Sequence, residues 1–373
     1  MVLLISLILV TLLVCFGKDW IRRHQGVSYL ICTGVALIVI GICLSGLSQS
    51  LSGWALMAAN VFLQGGLAGA MFVFVMFAGA VPTKSGFRKA VLPVRGPLSI
   101  MACILTFAHN IGYGRYYVMM FTRLSDMAPL TLAAACCSLV MDLILIPLFI
   151  TSFLCVRRKM KPASWKRLQR LAYVFYALMY THVLLLNTHN ARNGVWTAIL
   201  NITLYSCMYI GYATMRIGKA FADRRKEGAM PVVQMIGTLV LALVLSLIFM
   251  PGHVQDTHNG AAASVSAEEL EALRAEELAG VYADGSYKGA ALGYNGRLKV
   301  KVTIEDGRIT ALKVSSHVED EPYITDASEG VFAQILETGS SYVDAVSSAT
   351  TTSDALMEAV RDGLRMAAEK AAQ

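Results

Sequence analysis

The sequence predicts a polytopic α-helical membrane domain of about eight spans, followed by a small α+β domain. Hydrophobic residues make up 56% of the 373 residues and charged residues only 15%, whereas ordinary globular domains carry roughly a quarter charged residues. The apolar runs fill residues 1–250, while residues 251–373 have the composition of a water-soluble domain. We therefore assign 1–250 to the membrane domain, 251–279 to a linker and helix, and 280–373 to the α+β domain.

Eight apolar segments have about the length of a membrane-crossing helix, which is roughly 20 residues. We expect spans near residues 2–17, 27–48, 54–82, 97–114, 128–156, 171–189, 195–215 and 231–250. Nineteen Lys and Arg lie in one set of loops, whose ranges are 18–26, 84–96, 156–170 and 216–230. The opposite set holds three, Arg115, Arg123 and Arg192. The positive-inside rule places the first set in the cytoplasm, so the N-terminus and the α+β domain are predicted to be extracytoplasmic.

Charge and cysteine usage narrow the choice of partner. Residues 251–373 hold ten basic and twenty acidic residues and so carry −10, which means that the first 250 residues carry +17, because the whole chain carries +7. Because that positive charge sits in loops between spans, the expected partner is membrane lipid and not nucleic acid. The eight cysteines lie in or beside apolar runs without a C-x-x-C motif, which is typical of packing residues.

Histidines inside the predicted spans indicate chemistry in the membrane. His109 and His182 each follow a cytoplasmic boundary by about twelve residues, in spans that run the same way. At roughly 1.5 Å per residue, both lie about 18 Å from that boundary. Two imidazoles at one depth suit bis-histidine haem ligation, whereas zinc would need further ligands. The alternative for each ring is a hydrogen bond between helices.

A family resemblance supports the haem interpretation. The segments RGPLSIMACILTFAHNIGYG and SWKRLQRLAYVFYALMYTHVLLL resemble the ferric-reductase-like transmembrane family, which includes the haem-binding subunit of periplasmic methionine sulfoxide reductase. The resemblance implies a six-helix haem b core with His109 and His182 as iron ligands. Many members hold a second haem through histidines about thirteen positions away, where this chain has Gly96 and Gln169, so we predict one haem. His189 is the alternative ligand or an interface residue.

The pattern of residues 280–373 predicts strands first and helices after. Residues 298–304 alternate, with Leu298, Val300, Val302 and Ile304 on one face, and Asp306-Gly307 predicts the turn of a hairpin. The glycines of DGSYKGAALGYNG are spaced for tight turns, and a helix is expected near 326–338. A terminal helix that begins near Ser353 places Leu356, Val360 and Leu364 on one face.

The stretch DAVSSATTTS, residues 344–353, places four hydroxyls in a row before the terminal helix. One hydroxyl is enough to cap a helix, so the surplus indicates a second use. Together with DGSYKGAALGYNGRLKVKVTIEDGRITALKVSSH, the stretch resembles the FMN-binding domain of the C and G subunits of sodium-pumping NADH:quinone reductase and Rnf complexes. That family has Asp, two or three residues, and then S/T-G-A-T.

The FMN-binding resemblance implies covalent FMN on Thr350, attached by a flavin transferase through the FMN phosphate. Asp344, Ser347, Ser348 and Ala349 complete the motif, and Ser348 stands where glycine is usual. The phosphate would lie at the helix N-terminus, where free N–H groups favour anions.

Several neighbouring residues are assigned secondary roles around this motif. Thr351, Thr352 and Ser353 would donate to phosphate oxygens or cap the helix. Tyr294 and Tyr323 would flank the flavin ring or pack in the core. His317, Glu319 and Glu321 are expected to form a solvated loop rim near the flavin.

These sites together predict a transmembrane electron-transfer oxidoreductase of the bacterial cytoplasmic membrane. The chain has no G-x-G-x-x-G strand–turn–helix unit, so electrons would come from a separate cytoplasmic donor or a membrane quinol. They would pass through haem b to FMN and then to an external acceptor, which is ferric iron, a flavin or a redox partner. A redox subunit serving one extracytoplasmic reductase and a haem-free membrane anchor for a flavin domain are the alternatives. A transporter is the weakest alternative. Lys, Asp and Glu are nearly absent from the interiors of the spans, with Asp142 as the main exception, and one carboxylate does not make a transport pathway.

Overall fold

The computed structural model describes residues 2–47, 51, 53–192, 195–222, 267–347 and 349–373. The described chain divides into two units, which we treat separately. The first unit holds residues 2–117 and 133–222, and the second holds 118–132 and 267–373. The predicted span 231–250, the part of the predicted linker up to residue 266, and Ser348 lie outside the described residues.

Helices follow one another through the first unit in the order that the apolar runs predict. The long ones are α1 (Val2–Arg23), α2 (Gln25–Leu44), α3 (Gly53–Leu63), α4 (Gly66–Ala80), α6 (Arg95–Gly112), α8 (Pro129–Ser152), α11 (Leu171–Arg192) and α12 (Trp196–Ala222). The short ones are α5 (Gly86–Val91), α7 (Arg115–Thr122), α9 (Leu154–Arg157) and α10 (Pro162–Gln169). Helices α7 and α8 carry the chain into and out of the second unit.

Five of the described helical segments are long and apolar enough to cross a membrane, or six if α3 and α4 count as one bent span. The predicted span 54–82 is broken, because α3 and α4 meet at an angle of 48°. Helix α12 forms in the region of the predicted span 195–215 but is not among these segments. The structure therefore supports several apolar helices that could cross a membrane, and the number of eight spans stays a prediction.

The core of the first unit lies between α1, α2, α4, α6, α8 and α11. Leu3, Val10 and Val14 are buried on α1 and pack with Leu98 and Leu145 of α6 and α8. Large apolar side chains on other faces stay exposed, among them Phe16 and Leu30. Because such faces would be costly in water, they are the surfaces that a bilayer would cover.

The second unit is a three-stranded antiparallel sheet with helices packed against it. Its elements are α13 (Ala267–Leu278), β1 (Gly285–Leu292), β2 (Arg297–Glu305), β3 (Arg308–Ser316), α14 (Glu321–Thr338) and α15 (Thr350–Ala371). The strand order is β1-β2-β3. The predicted hairpin is confirmed: β2 pairs with β3, and Asp306 and Gly307 have φ values of 52° and 69°, as a two-residue turn of this kind requires.

Helix α15 covers one face of the sheet and closes the core of this unit. The predicted apolar faces are confirmed, because Leu298, Val300, Val302 and Ile304 are buried against Leu356, Val360 and Leu364. Gly289 and Gly363 lie at the closest approach of β1 and α15. A Cβ atom at Gly289 would stand 1.9 Å from the carbonyl oxygen of Ala359, so only glycine fits there.

Residues 118–132, between α6 and α8, belong to the second unit; we call them the docked segment. Arg123 donates to the Ser316 hydroxyl at 2.5 Å and to the His317 carbonyl at 3.0 Å. The Ala128 amide donates to the Asn295 carbonyl at 2.8 Å, and Met127 forms a β-bridge with Gly296. These contacts join the docked segment to the turn between β1 and β2 and to the end of β3.

One sequence-based expectation for this unit is wrong, and two predicted helices are present but start earlier than expected. The glycine-rich stretch expected to turn contains strand β1, because its side chains alternate and pair with β2, and only residues 293–296 turn. Helix α14 starts at Glu321, five residues before the predicted start, since Pro322 is favourable in a first turn. Helix α15 starts at Thr350, three residues before Ser353.

Candidate functional site

The residues of the predicted flavin motif lie in the loop before α15 and in its first turn. Thr350 is the first residue of the helix and is exposed, while Ala349 before it is buried. The first helical hydrogen bond after the loop runs from the Ser353 amide to the Ala349 carbonyl at 2.9 Å. The amides of residues 350–352 therefore precede it and have no partner within the described chain, which favours an anion beside Thr350.

The four neighbouring hydroxyls are not equivalent. Thr350 is exposed and Thr351 is half-buried, whereas Thr352 and Ser353 are fully buried. Thr352 donates to the Glu319 carboxylate at 3.0 Å, and the Ser353 hydroxyl accepts from the Val346 amide at 3.1 Å. No side chain caps the helix, whose N-cap is Ala349. The expectation that Thr352 or Ser353 caps the helix is therefore wrong, and their contact with a phosphate stays a prediction.

The loop before Thr350 is held through its backbone. Gln334 of α14 exchanges two hydrogen bonds with the backbone of Asp344, at 3.1 and 3.2 Å. The side chains of Asp344 and Ser347 are exposed. Asp344, Ser347 and Thr350 are thus exposed, while Ala349 between them is buried.

Glu319 is the residue of this site whose role sequence reasoning missed. It was expected at a solvated rim, but its side chain is only 3% exposed. It accepts hydrogen bonds from the Asn295 and Gly296 amides at 2.8 and 3.3 Å and from the Tyr294 amide at 3.2 Å. Since it also accepts from Thr352, this carboxylate ties the 293–296 turn to the first turn of α15. These hydrogen bonds supply the partners that a buried carboxylate needs in place of water.

The aromatic and histidine side chains near Glu319 have mixed environments. Burial raises the pKa of Tyr294 above its ordinary value, and the neighbouring Tyr323 and Glu319 add to the shift. Tyr323 remains 48% exposed. The His317 ring lies 3.7 Å from Glu321, whose carboxylate is exposed, so this pair forms the rim without Glu319. The use of Tyr294 and Tyr323 as walls of a flavin site stays a prediction.

In the first unit, the break between α3 and α4 positions His109. Gly65, in the break after α3, has a φ of +68°, and a Cβ atom built there would stand 3.4 Å from the His109 ring. The His109 Nδ1 atom lies 2.6 Å from the Leu63 carbonyl oxygen at this break. Because a helix end leaves carbonyl groups without an intrahelical partner, the ring satisfies one of them.

His182 has the same kind of contact on α8. Its Nδ1 atom lies 3.1 Å from the Ala134 carbonyl oxygen and 3.2 Å from the Ser138 hydroxyl. Metal-binding imidazoles usually donate one ring N–H to a carbonyl and bind the metal through the other nitrogen, so both rings fit haem ligation through Nε2. His189 lies seven residues further along α11, near the end of that helix.

Asp142, the main acidic residue within the predicted spans, has protein partners. Asn110 and Tyr117 both donate to Asp142, the latter at 3.0 Å, so this carboxylate joins α6, α7 and α8. Among the residues that the structure describes, no three His, Cys, Asp or Glu side chains gather into a metal site. Gly96 and Gln169 stand at the two positions where many members of the similar family have histidines for a second haem. Both residues line one cavity of about 560 Å³.

Comparison with known proteins identifies the C-terminal part. An FMN-binding domain model matches residues 293–365, which include Tyr294, Glu319 and the whole 344–353 motif. A 105-residue stretch, 27% of this chain, is 31% identical to 10% of the NADH:acrylate oxidoreductase of Vibrio harveyi. No solved structure matches. The likeness of the membrane segments to the ferric-reductase-like family stays a prediction.

One relative is similar to this chain along almost its whole length. An uncharacterized protein of Treponema pallidum (strain Nichols) is 34% identical over 359 residues, which cover 96% of this chain and 97% of that protein. The match therefore includes the apolar helices as well as the C-terminal sheet. The chain belongs to the same family as this Treponema pallidum protein and ends in an FMN-binding domain.

Proposed function

We propose that the protein is a transmembrane electron-transfer oxidoreductase that links a cytoplasmic or quinol donor to an extracytoplasmic acceptor. The observation that carries the proposal is the combination of an FMN-binding domain with two internal histidines on apolar helices, each bonded through Nδ1 to a carbonyl. When bound, haem b would supply one-electron transfer, and FMN would accept or release electrons singly or in pairs.

The residues of the second unit would hold FMN in the following way. The Thr350 hydroxyl, exposed at the first turn of α15, would carry the phosphate after modification by a flavin transferase. The amides of residues 350–352 and the positive end of the helix would stabilise the phosphate charge. Glu319 and Thr352 would keep the 293–296 turn, and so the Tyr294 ring, fixed relative to Thr350.

The residues of the first unit would hold haem iron through the Nε2 atoms of His109 and His182. The Leu63 and Ala134 carbonyls would fix each imidazole and its tautomer. The surrounding apolar side chains of α1, α4 and α6 would exclude water from this region. We propose one haem, since Gly96 and Gln169 supply no imidazole, and we retain His189 as an alternative ligand.

The direction of the proposed path follows from the loop charges. The basic loops would face the cytoplasm and the FMN-binding domain would face outward, so the acceptor would be ferric iron, a soluble flavin or a partner redox protein. FMN that is attached covalently would not be lost by diffusion on that side. A haem-free membrane anchor, with the helices only holding a flavin domain beside a redox complex, is the competing function.

The test is a reduced-minus-oxidised absorption spectrum and an intact mass of the full chain, co-expressed with a flavin transferase. We expect haem b bands that disappear in His109→Ala and in His182→Ala, and one FMN of added mass that disappears in Thr350→Ala. Thr351→Ala is the matched control, because its hydroxyl is adjacent but only half-exposed, and it should keep the flavin. Flavin without haem would support the anchor, and haem without attached flavin would reject the role of Thr350.

A further inference from the structure

A basic, aromatic cavity opens at the end of the first unit that carries the predicted cytoplasmic loops. It has a volume of about 560 Å³ and is lined by residues of α4, α6, α8, α9, α10, α11 and α12. This volume is within the usual range of small-molecule sites, roughly 300–1,000 Å³. Its inner wall is apolar and buried, with Phe72, Leu145 and Phe175 among its residues.

Three arginines give this cavity its charge. Arg95, Arg157 and Arg216 line it, and no Asp or Glu does. None of the three forms an ion pair within the described chain. Uncompensated guanidinium groups at a partly enclosed site favour an anion, because the apolar wall reduces the screening by water.

Neighbouring groups hold two of these guanidiniums in place. The Arg157 guanidinium stacks 4.1 Å from the centre of the Trp165 ring, and the Trp165 indole donates to the Thr151 carbonyl at 3.0 Å. Arg216 donates to the Gly79 carbonyl at 3.2 Å and to the Tyr173 hydroxyl at 2.7 Å. Since arginine has five N–H donors, each keeps donors for a ligand. Arg95 is exposed.

We propose that this cavity binds a phosphate group carried on an apolar or aromatic body. A phosphate group carries up to two negative charges and three acceptor oxygens, so it can accept hydrogen bonds from several guanidinium groups at once. A carboxylate carries one charge and pairs with a single arginine, so three arginines favour a phosphate. The aromatic and aliphatic wall would receive the body of the ligand. The source is either a soluble aromatic phosphate from the cytoplasm or an anionic phospholipid headgroup. This proposal goes beyond the proposed function and requires neither haem nor attached flavin.

The test uses the full chain with Thr350→Ala, so that no flavin is attached, in phosphatidylcholine nanodiscs. FMN and riboflavin serve as probes that differ only by the phosphate, and their binding is followed by flavin fluorescence. In parallel, native mass spectrometry measures phosphatidylglycerol retained from mixed nanodiscs. For a soluble source we expect FMN to bind at least tenfold more tightly than riboflavin. For a lipid source we expect retained phosphatidylglycerol that competes with FMN.

Variants separate the cavity from general surface charge. Arg95→Gln and Arg157→Gln should each weaken binding of the phosphate ligand roughly tenfold or more, as the loss of a charge-assisted hydrogen bond predicts. Arg158→Gln is the matched control, since Arg158 is exposed beside Arg157 but does not line the cavity, and it should bind as before. Gly96→Met should block the cavity without changing its charge, because a Cβ at Gly96 meets nothing within 4 Å.

The overturning result is equally specific. Equal binding of FMN and riboflavin, together with phosphatidylglycerol retention that is the same in Arg157→Gln and Arg158→Gln, would reject a phosphate site in this cavity. The haem spectrum of the same samples reports on the proposed function separately. A haem-free sample that still binds the phosphate ligand would reject haem and leave the cavity site standing.

Discussion

Glu319 shows how a single buried carboxylate can organise this FMN-binding domain. Its oxygens accept from three consecutive backbone amides of the 293–296 turn and from the Thr352 hydroxyl. A Cβ atom at Gly293 would stand 2.7 Å from one of these oxygens, so a larger residue there would have to displace the carboxylate. Glu319 thus connects two parts of the candidate flavin site that are distant in sequence.

We expect Glu319→Gln to loosen this turn. The glutamine amide group would face backbone donors with a donor of its own, which leaves buried groups unsatisfied at a cost of about 1–3 kcal/mol. Hydrogen exchange of the Tyr294, Asn295 and Gly296 amides in the full chain should accelerate roughly ten- to a hundredfold. Glu321→Gln is the control, since that carboxylate is exposed, and equal exchange in the two variants would contradict the role of Glu319.

Asp354, one turn after Thr350, should make stability depend on pH. Burial raises the pKa of Asp354 above its ordinary value, with Glu358 adding to the shift and Arg361 opposing it. A carboxyl with a raised folded-state pKa stabilises fully below its unfolded pKa, which is about 3.9, and loses that contribution as pH rises through the folded value. Asp354→Asn in the flavin-free chain should therefore raise the unfolding temperature at pH 7 but not at pH 3.

A second aspartate on α15 provides the comparison. Asp362 accepts from the Ala290 amide at 3.0 Å and pairs with Arg365. Asp362→Asn should lower the unfolding temperature at pH 7, in the opposite direction to Asp354→Asn. Stabilisation by Asp354→Asn that is the same at pH 3 and pH 7 would exclude titration as its cause.

At the scale of elements, close backbone approach determines how α15 lies on the sheet. Gly289 of β1 faces Ala359 and Gly363 of α15, and a Cβ at Gly363 would stand 2.8 Å from Val302. These contacts place the helix directly over β1 and β2, whose inner side chains form the core. The start of α15, and with it Thr350, is positioned by this packing.

Gly289→Ala should therefore displace α15. The added methyl overlaps helix backbone that cannot give way by a side-chain rotation, so we expect a loss of about 3 kcal/mol. Lys288→Ala on the exposed side of the same strand is the control and should change stability by less than about 0.5 kcal/mol. Urea unfolding followed by circular dichroism measures both, and a Gly289→Ala chain of unchanged stability would reject this packing.

At the scale of the whole molecule, the chain enters the second unit twice. The docked segment contributes residues between α6 and α8, and residues 267–373 contribute the sheet and helices. The helices that carry His109 and His182 belong to the first unit. The polypeptide therefore passes between the two units on both sides of the docked segment and again before residue 267. The FMN-binding unit is thus connected to the apolar helices at more than one point of the chain.

Topology can be measured by reporter fusions. We expect alkaline phosphatase fused after Gln373 to be active, because the FMN-binding domain is predicted to be extracytoplasmic. The same reporter fused after Ala222, before the predicted span 231–250, should be inactive, since that end is predicted to be cytoplasmic. Equal activity of the two fusions would contradict either the eighth span or the orientation.

Local patterns in the sequence were sufficient for the features that depend on neighbouring residues. The alternation of β2, the Asp306-Gly307 turn and the apolar face of α15 were predictable, because side-chain period and turn chemistry act over a few residues. The FMN-binding domain was recognisable for the same reason, since its motif is contiguous.

Only the tertiary structure showed that Glu319 is buried, that Gly65 interrupts a predicted span beside His109, and that residues 118–132 join the flavin unit. These features depend on partners far apart in the chain; Arg123 and the His317 carbonyl are 194 positions apart. Such contacts leave no periodic signal in sequence, because the residues that make them are chosen by where the packed chain brings them together. Hydroxyls that look alike in DAVSSATTTS are therefore divided by burial alone into the exposed Thr350 and the structural Thr352 and Ser353.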